Sequence, residues 1–258
     1  IDNGGPLLSS GVAIKLVLGL FMVLGAVNFA LHGRFISGDW RVYSRDPECR
    51  VLLVIILLVI VLLLAFVGNN SGSTRITNEV LRLLSIVTTT GYPGEPVPDS
   101  YLKHFLLVFI CLALVGGTTG STAGGFKLMR FMLLIRQAKR ELARLIHPHG
   151  VIPIKYGNFA VTPSFMQTLW VFFIGYIFCL TVLAMTLSAF GVNFLSAVIT
   201  SLSALTNSGP ALLYLSEINV DFAILPPGAK FSIMIGMLLG RIELLAFFVL
   251  LNFSFWRP

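Results

Sequence analysis

The sequence predicts an all-α membrane protein built from helix–re-entrant hairpin–helix repeats. Three observations carry that class. The first is composition: 56% of the 258 residues are hydrophobic, only 11% are charged, and the mean hydropathy is +0.91. Soluble domains carry about 25% charged residues. This argues against a water-soluble enzyme and excludes a disordered chain, a coiled coil and a collagen. The second is two uncharged runs, Val51 to Thr74 and Tyr156 to Ser216, in a world where roughly 20 apolar residues cross a bilayer as a helix. The third is an internal repeat, in which the segments around Gly91 and Gly209 read alike at an offset of 118 residues.

In chain order, a first apolar segment runs from about Val12 to Leu31 and a second from Val51 to Val67. A third begins near Tyr101 and continues to about Ile146 with a break in its middle. A fourth covers Thr168 to Phe190, and a fifth Lys230 to Phe253. Two half-apolar stretches, Ile76 to Val87 and Asn193 to Leu205, are too short to span. Their length fits re-entrant segments, and a surface helix or an extracellular loop would give the same pattern. Trp170, Trp256 and Tyr101 suit interfacial anchors.

Charge placement sets the orientation. Arg34, Arg41, Arg45 and Arg50 follow the first segment, and Lys127, Arg130, Arg136, Lys139, Arg140, Arg144 and Lys155 follow the third. Arg75, Arg82, Lys103 and Lys230 on the other side are balanced by Glu79, Glu95, Asp99, Glu217 and Asp221. The basic excess puts the first two links and the C-terminus in the cytoplasm, with both short segments facing outward. The net charge of +7 thus belongs to membrane topology, and no nucleic-acid partner is expected. The run Lys127 to Arg144 suits anionic lipid or a cytosolic protein partner. Cys49, Cys111 and Cys179 have neither metal nor disulfide spacing, and His147/His149 on a Pro-containing turn is a weak metal signal. Because residue 1 is Ile and an apolar run follows at once, the chain is expected to be a piece of a longer protein.

The repeat carries the chemistry. Asn78 to Tyr92 (NEVLRLLSIVTTTGY) and Leu195 to Pro210 (LSAVITSLSALTNSGP) are each a short apolar helix ending in small polar residues and a glycine. Each has a spanning helix before and after it, in the same direction, unlike the inverted repeats of many secondary transporters. Non-helical backbone is tolerated at membrane depth only where protein or a water-filled cavity satisfies it. Rings of carbonyl oxygens there can replace the hydration shell of a cation. A helix C-terminus aimed inward favours the same charge. Packing alone would also accommodate a Thr-Gly turn.

The break in the third segment holds Gly116, Gly117, Gly120, Gly124 and Gly125. Each costs a helix about 1 kcal/mol relative to alanine, so the segment should unwind and line the path. Small-xxx-small helix packing competes with that reading. A phosphate loop is excluded by Phe126 between Gly125 and Lys127. Arg241 lies inside the fifth segment, where an exposed charge would cost at least ~2.5–3.5 kcal/mol, so it should face the bundle interior or water. It is expected to reach carbonyls of the 116–125 loop, or else to pair with a carboxylate outside this chain. Glu243, two residues on, points elsewhere around the helix. Gly236 and Gly240 suit close helix packing. An intramembrane enzyme would need a catalytic pair, and only Arg241 and Glu243 sit well inside a span by this reading. A non-conducting scaffold is the other class in competition.

Several of these motifs resemble one family. TTTGY (Thr88 to Tyr92) is similar to the filter of potassium channels and of the Trk/Ktr/HKT superfamily of potassium transporters. GGTTGSTAGGFKLMR (Gly116 to Arg130) resembles the superfamily's glycine-rich intramembrane loop. ELARLIHPHGVIPIK (Glu141 to Lys155), TNSGP (Thr206 to Pro210) and GRIELLAFFVLLNFSFWRP (Gly240 to Pro258) resemble its bacterial TrkH/TrkG branch. The resemblance covers essentially the whole chain.

It implies four repeats arranged pseudo-fourfold around one potassium-channel-like pore, two of them present here. Residues 1–37 would close the second repeat, with GAVNFALH (Gly25 to His32) as its end. Residues 38–155 would form the third repeat and 156–258 the fourth. The third filter would map to Thr89, Thr90, Gly91 and Tyr92, and the fourth to Asn207, Ser208, Gly209 and Pro210. Potassium would be held at Thr89, Thr90, Asn207 and Ser208. The gate would be the glycine-rich loop, at Gly116, Gly117, Gly120, Gly124 and Gly125, with Arg241. The resemblance further implies potassium uptake across the bacterial inner membrane by a multi-pass homodimer. A cytosolic nucleotide-binding regulatory subunit would open it, and this chain itself would need no organic cofactor. A less selective monovalent cation channel and a sodium- or proton-coupled symporter are the alternatives, because the fourth copy lacks the Thr-x-Gly-Tyr-Gly pattern.

Overall fold

The computed structural model describes residues 11–67, 73–92, 101–147, 150, 152–157, 159–209, 222 and 224–242. Its helices are α1 (Val12–Ala26), α2 (Phe29–Ile36), α3 (Val42–Arg45), α4 (Pro47–Val67), α5 (Ser73–Val87), α6 (Tyr101–Val115), α7 (Leu128–Ile146), α8 (Pro163–Ala189), α9 (Phe194–Thr206) and α10 (Pro227–Ile242). One short antiparallel hairpin, β1 (Lys155–Tyr156) with β2 (Phe159–Ala160), lies between α7 and α8.

The long apolar helices α4 and α8 bury one stripe each. On α4 the buried positions include Cys49, Leu52, Ile56, Val59 and Leu63; on α8 they include Met166, Leu169, Phe172, Tyr176, Leu183 and Leu187. That spacing of three and four residues keeps one face inward. The other faces expose Leu57 and Phe178, as a lipid-facing helix does. Both are long and apolar enough to cross a membrane, and the α1–α2 pair would be a third span if taken as one. Within the described residues α6 and α10 are shorter, 15 and 16 residues.

The two short helices form the centre. On α9 every residue from Ile199 to Thr206 is buried, hydroxyls included. The end of α5 is buried in the same way, through Ile86, Val87, Thr88 and Thr89. A short helix whose C-terminal half is buried on every face is a core element there. α9 packs on α8 and α10, and α5 on α1, α4 and α6. Gly236 on α10 permits this closeness, because a Cβ there would stand 2.8 Å from Leu183.

The first apolar segment differs from the continuous span expected over Val12 to Leu31. It bends by 102° between Ala26 and Phe29. The cause is local. Asn28 turns its side-chain oxygen onto the Ala30 NH at 2.9 Å and caps α2. The carbonyls of Gly25 and Ala26, which a continuing helix would use, accept hydrogen bonds from Thr122 and Thr118 instead. The second segment also starts earlier than Val51. Asp46 accepts from the Cys49 NH at 2.8 Å, so Glu48 and Arg50 lie within the helix. Pro210, Glu243, His149, Trp256 and the expected continuation of the fifth segment to Phe253 lie outside the described residues.

The Asn28 cap makes a measurable contribution. Asn28→Ala should destabilise the full-length parent by about 1 kcal/mol, the usual worth of an N-cap, whereas Asn28→Asp should hold stability. Thermal unfolding in detergent reads this out, and an unchanged midpoint in Asn28→Ala would remove the cap from the account of the bend.

Candidate functional site

The ends of α5 and α9 are built by the same hydrogen bonds, 118 residues apart. Thr88 donates its hydroxyl to the Leu84 carbonyl at 2.7 Å, and Thr206 donates to Leu202 at 2.9 Å. Each hydroxyl also meets the next-but-one hydroxyl, Thr88 with Thr90 at 2.7 Å and Thr206 with Ser208 at 2.9 Å. The Thr90 NH reaches the Ser85 carbonyl, and the Ser208 NH reaches the Ser203 carbonyl. Thr89 and Asn207 both take left-handed dihedrals, with φ of 52° and 53°. This residue ends each helix in the manner of an αL cap.

Beyond the cap each chain turns through a glycine of positive φ, 85° at Gly91 and 60° at Gly209. Glycine takes those dihedrals without the Cβ penalty. The two glycines also meet: a Cβ on Gly91 would lie 2.9 Å from the Ser208 carbonyl oxygen and 3.4 Å from the Gly209 Cα. Ser85 braces the first turn by donating to the Tyr92 carbonyl and accepting from the Tyr92 NH. Ser203 donates to the Gly209 carbonyl in the second. Among the described residues no donor reaches the carbonyl oxygens of Thr89, Thr90, Asn207 or Ser208. Thr89 and Ser208 are nevertheless 7% and 0% exposed. A buried carbonyl without a partner is costly unless water or a cation meets it.

The glycine-rich segment, residues 116–127, is non-helical and packs against this pair of turns. Gly124 donates its NH to the Thr89 hydroxyl at 2.6 Å. Gly124 also lies so close to the Thr206 carbonyl that any Cβ would overlap that oxygen. The segment is closed at its base by Phe126 NH to Leu114 O at 2.8 Å and Leu128 NH to Gly117 O at 3.0 Å. Gly116 rests against Gly124 and Gly125. Gly120 offers its carbonyl to the Phe29 NH at 3.1 Å and lies beside the Asn28 side chain. Lys127 donates to the carbonyls of Ser121 and Ala123.

Arg241 donates through Nη1 to the Thr122 carbonyl at 2.9 Å. It lines a cavity of about 300 Å³ with Gly124, Lys127, Arg130, Tyr176 and Gly240. Arg130 stacks over the Phe172 ring, 4.1 Å from its centroid. Three cations therefore border this cavity, and no carboxylate is among the residues that line it. Asn207 is fixed from α10 by a bond from Nδ2 to the Met237 carbonyl at 3.2 Å.

Of the residues singled out from the sequence, Thr89, Thr90, Gly91, Asn207, Ser208 and Gly209 come together at one place. Tyr92 is turned back onto Ser85, and Pro210 is not among the described residues. The sequence reading missed Thr88, Thr206, Ser85 and Ser203, although identical residues at the repeat offset were a visible signal. It also missed Asn28, Lys15 and Glu48. Lys15 is 2% exposed and donates to Asn78 at 2.6 Å, joining α1 to α5. Glu48 is 5% exposed and accepts from the Thr119 NH at 2.6 Å.

Comparison with known proteins agrees with this architecture. The TrkH family, described as a cation transport protein, matches residues 8–255. The Trk system potassium uptake protein TrkH of Salmonella typhimurium is 34% identical over 253 residues, covering 95% of this chain and 51% of that protein. TrkI of Halomonas elongata is 35% identical over 242 residues, covering 92% and 49%. TrkG of Escherichia coli is 29% identical over 248 residues, covering 95% and 50%. The crystal structure of the potassium transporter TrkH from Vibrio parahaemolyticus superposes with a TM-score of 0.86 at 32% identity, covering 96% of this chain and 54% of that one. The chain spans about half the length of the relatives it matches. Fold, sequence and family agree that this chain is an all-α membrane protein and belongs to the TrkH family of cation transport proteins, not to an enzyme family.

Proposed function

We propose that the chain supplies two of four filter segments, and the gate, of a potassium uptake protein in the bacterial inner membrane. Residues 1–37 close a second repeat, 38–155 make the third and 156–258 the fourth. The remaining repeats come from the rest of a parent about twice this length, as in the relatives. The observation that carries the reading is the pair of matching turns. Two helix ends share one hydrogen-bond pattern, meet at Gly91 and Gly209, and leave carbonyls of Thr89, Thr90, Asn207 and Ser208 without donors. Potassium is the ligand such carbonyls suit, with the partly negative ends of α5 and α9 favouring a cation. The Asn-Ser-Gly of the fourth copy, against Thr-Thr-Gly in the third, favours moderate selectivity over the strict kind.

In this reading the gate lies directly beneath. The glycine-rich loop crosses from Ala26 to Thr206, and Arg241 holds its Thr122 carbonyl while adding a positive charge to the path. A unit charge ~10 Å from a cation raises its energy by about 1.7 kcal/mol at an effective dielectric of about 20. The protein works as a dimer in the bilayer, with a cytosolic nucleotide-binding subunit shifting the loop. The support for these partners is the Trk system named in the relatives and the basic cytoplasmic run from Lys127 to Arg144.

Two measurements on the full-length parent in liposomes test this. Rubidium flux should exceed sodium flux, and Gly209→Ser should abolish that preference by putting a side chain at a left-handed turn position, φ 60°, and so shifting the carbonyls around it. A preference that survives the substitution would show that this turn does not select. Arg241→Ala should raise basal rubidium flux roughly 15-fold, the factor that removal of about 1.7 kcal/mol gives. Unchanged or lower flux in folded protein would count against the gate.

A further inference from the structure

Glu48 joins three parts of the chain that are remote in sequence. Its carboxylate is buried in the first turn of α4. One oxygen accepts the NH of Thr119, 71 residues away in the intramembrane loop, at 2.6 Å. The other accepts the hydroxyl of Tyr156, 108 residues away on β1. A carboxylate is acceptor-only, and hydrogen bonds to it are shorter and stronger than those between neutral groups. Losing it would leave the Thr119 NH without its acceptor at a half-buried position.

The hairpin that carries Tyr156 is itself anchored. Ile154, just before it, is buried with Phe126 and Leu133. The Val161 NH returns to the Ile154 carbonyl at 2.8 Å. Arg136 on α7 donates to the Lys155 carbonyl. Burial and then the bond to Glu48 push the Tyr156 phenol above its ordinary range, so it stays protonated and remains a donor. A continuous path thus runs from Arg136 through the hairpin and Glu48 to the loop backbone.

We propose that Glu48 is a positioning residue that ties the intramembrane loop to the β1–β2 hairpin, so that displacing the hairpin releases the loop. The inference rests on the gate reading above. Nothing in the path touches the filter turns, so the tether governs how readily the loop moves and leaves ion preference alone.

The test uses the full-length parent, as Tyr156→Phe, Glu48→Ala, their double variant and Glu48→Gln, beside Arg241→Ala. Three quantities are read: deuterium uptake of the peptide covering 116–125, basal rubidium flux, and the rubidium-to-sodium ratio. Tyr156→Phe and Glu48→Ala should each raise uptake and raise basal flux several-fold. The double variant should go no further than Glu48→Ala, since both act through one carboxylate, and the ion ratio should stay constant. Glu48→Gln, which keeps one acceptor oxygen, should fall between wild type and Glu48→Ala. Should Glu48→Ala fail to fold, Tyr156→Phe, which removes a single oxygen, carries the test alone. Unchanged uptake and flux in Tyr156→Phe, while Arg241→Ala raises flux, would overturn the tether and leave the gate standing. Raised uptake in Tyr156→Phe with no flux change in any variant would support the tether and overturn the gate.

Discussion

The whole arrangement depends on satisfying the polar backbone of residues 116–127, a non-helical stretch packed among helices. A stretch of non-helical chain at membrane depth is stable only if protein supplies its hydrogen-bond partners. Here the partners come from every side. Gly25 and Ala26 give up their carbonyls to Thr122 and Thr118, Thr89 accepts from Gly124, Glu48 accepts from Thr119, and Arg241 and Lys127 cover carbonyls. All of these donors and acceptors but Lys127 come from other elements. The loop therefore shapes its neighbours as much as they shape it. The 102° bend between α1 and α2 follows directly, because the carbonyls that would have continued α1 are already engaged.

The same constraint sets how the loop is held. Its contacts are almost all hydrogen bonds to backbone or to single side chains, each worth roughly 1 kcal/mol net and more where a charge is involved. Apolar burial in the segment is confined to Ala123 and Phe126 at its far end. Exchanging single hydrogen bonds of this kind costs less than repacking a close-packed apolar core. The paired turns after α5 and α9 are built differently. Ser85, Thr88, Ser203 and Thr206 tie each turn to its own short helix, and the C-terminal halves of those helices are buried. The fold thus places a rigid pair of turns against a loop of independent hydrogen bonds, with Thr89 and Thr206 at the contact.

Much of this was legible in the sequence. Apolar run lengths gave the two long spans and the two short helices, and the glycine cluster marked the break between α6 and α7. The 118-residue repeat was read over Asn78–Tyr92 and Leu195–Pro210, but the hydroxyls of Ser85, Thr88, Ser203 and Thr206 within it were not singled out. Thr88 and Thr206 look like ordinary helix residues until their hydroxyls are seen folding back onto Leu84 and Leu202. The bend at Val27 was invisible because nothing in GAVN breaks a helix strongly. It arises from a tertiary competitor 92 and 97 residues away. Glu48 was passed over for a similar reason. A lone acid in the first turn of a helix is usually a favourable partner for the helix dipole, and only the fold brings Thr119 and Tyr156 to it.

The central claim is that the turns after α5 and α9 share one cation path. Thallium, a heavy potassium mimic, locates such a path in crystals of the full-length parent through its anomalous scattering. The account predicts density within coordination distance of the carbonyls of Thr89, Thr90, Asn207 and Ser208, on the side away from the glycine-rich loop. Thallium bound only elsewhere, with these four carbonyls meeting no ion, would contradict it.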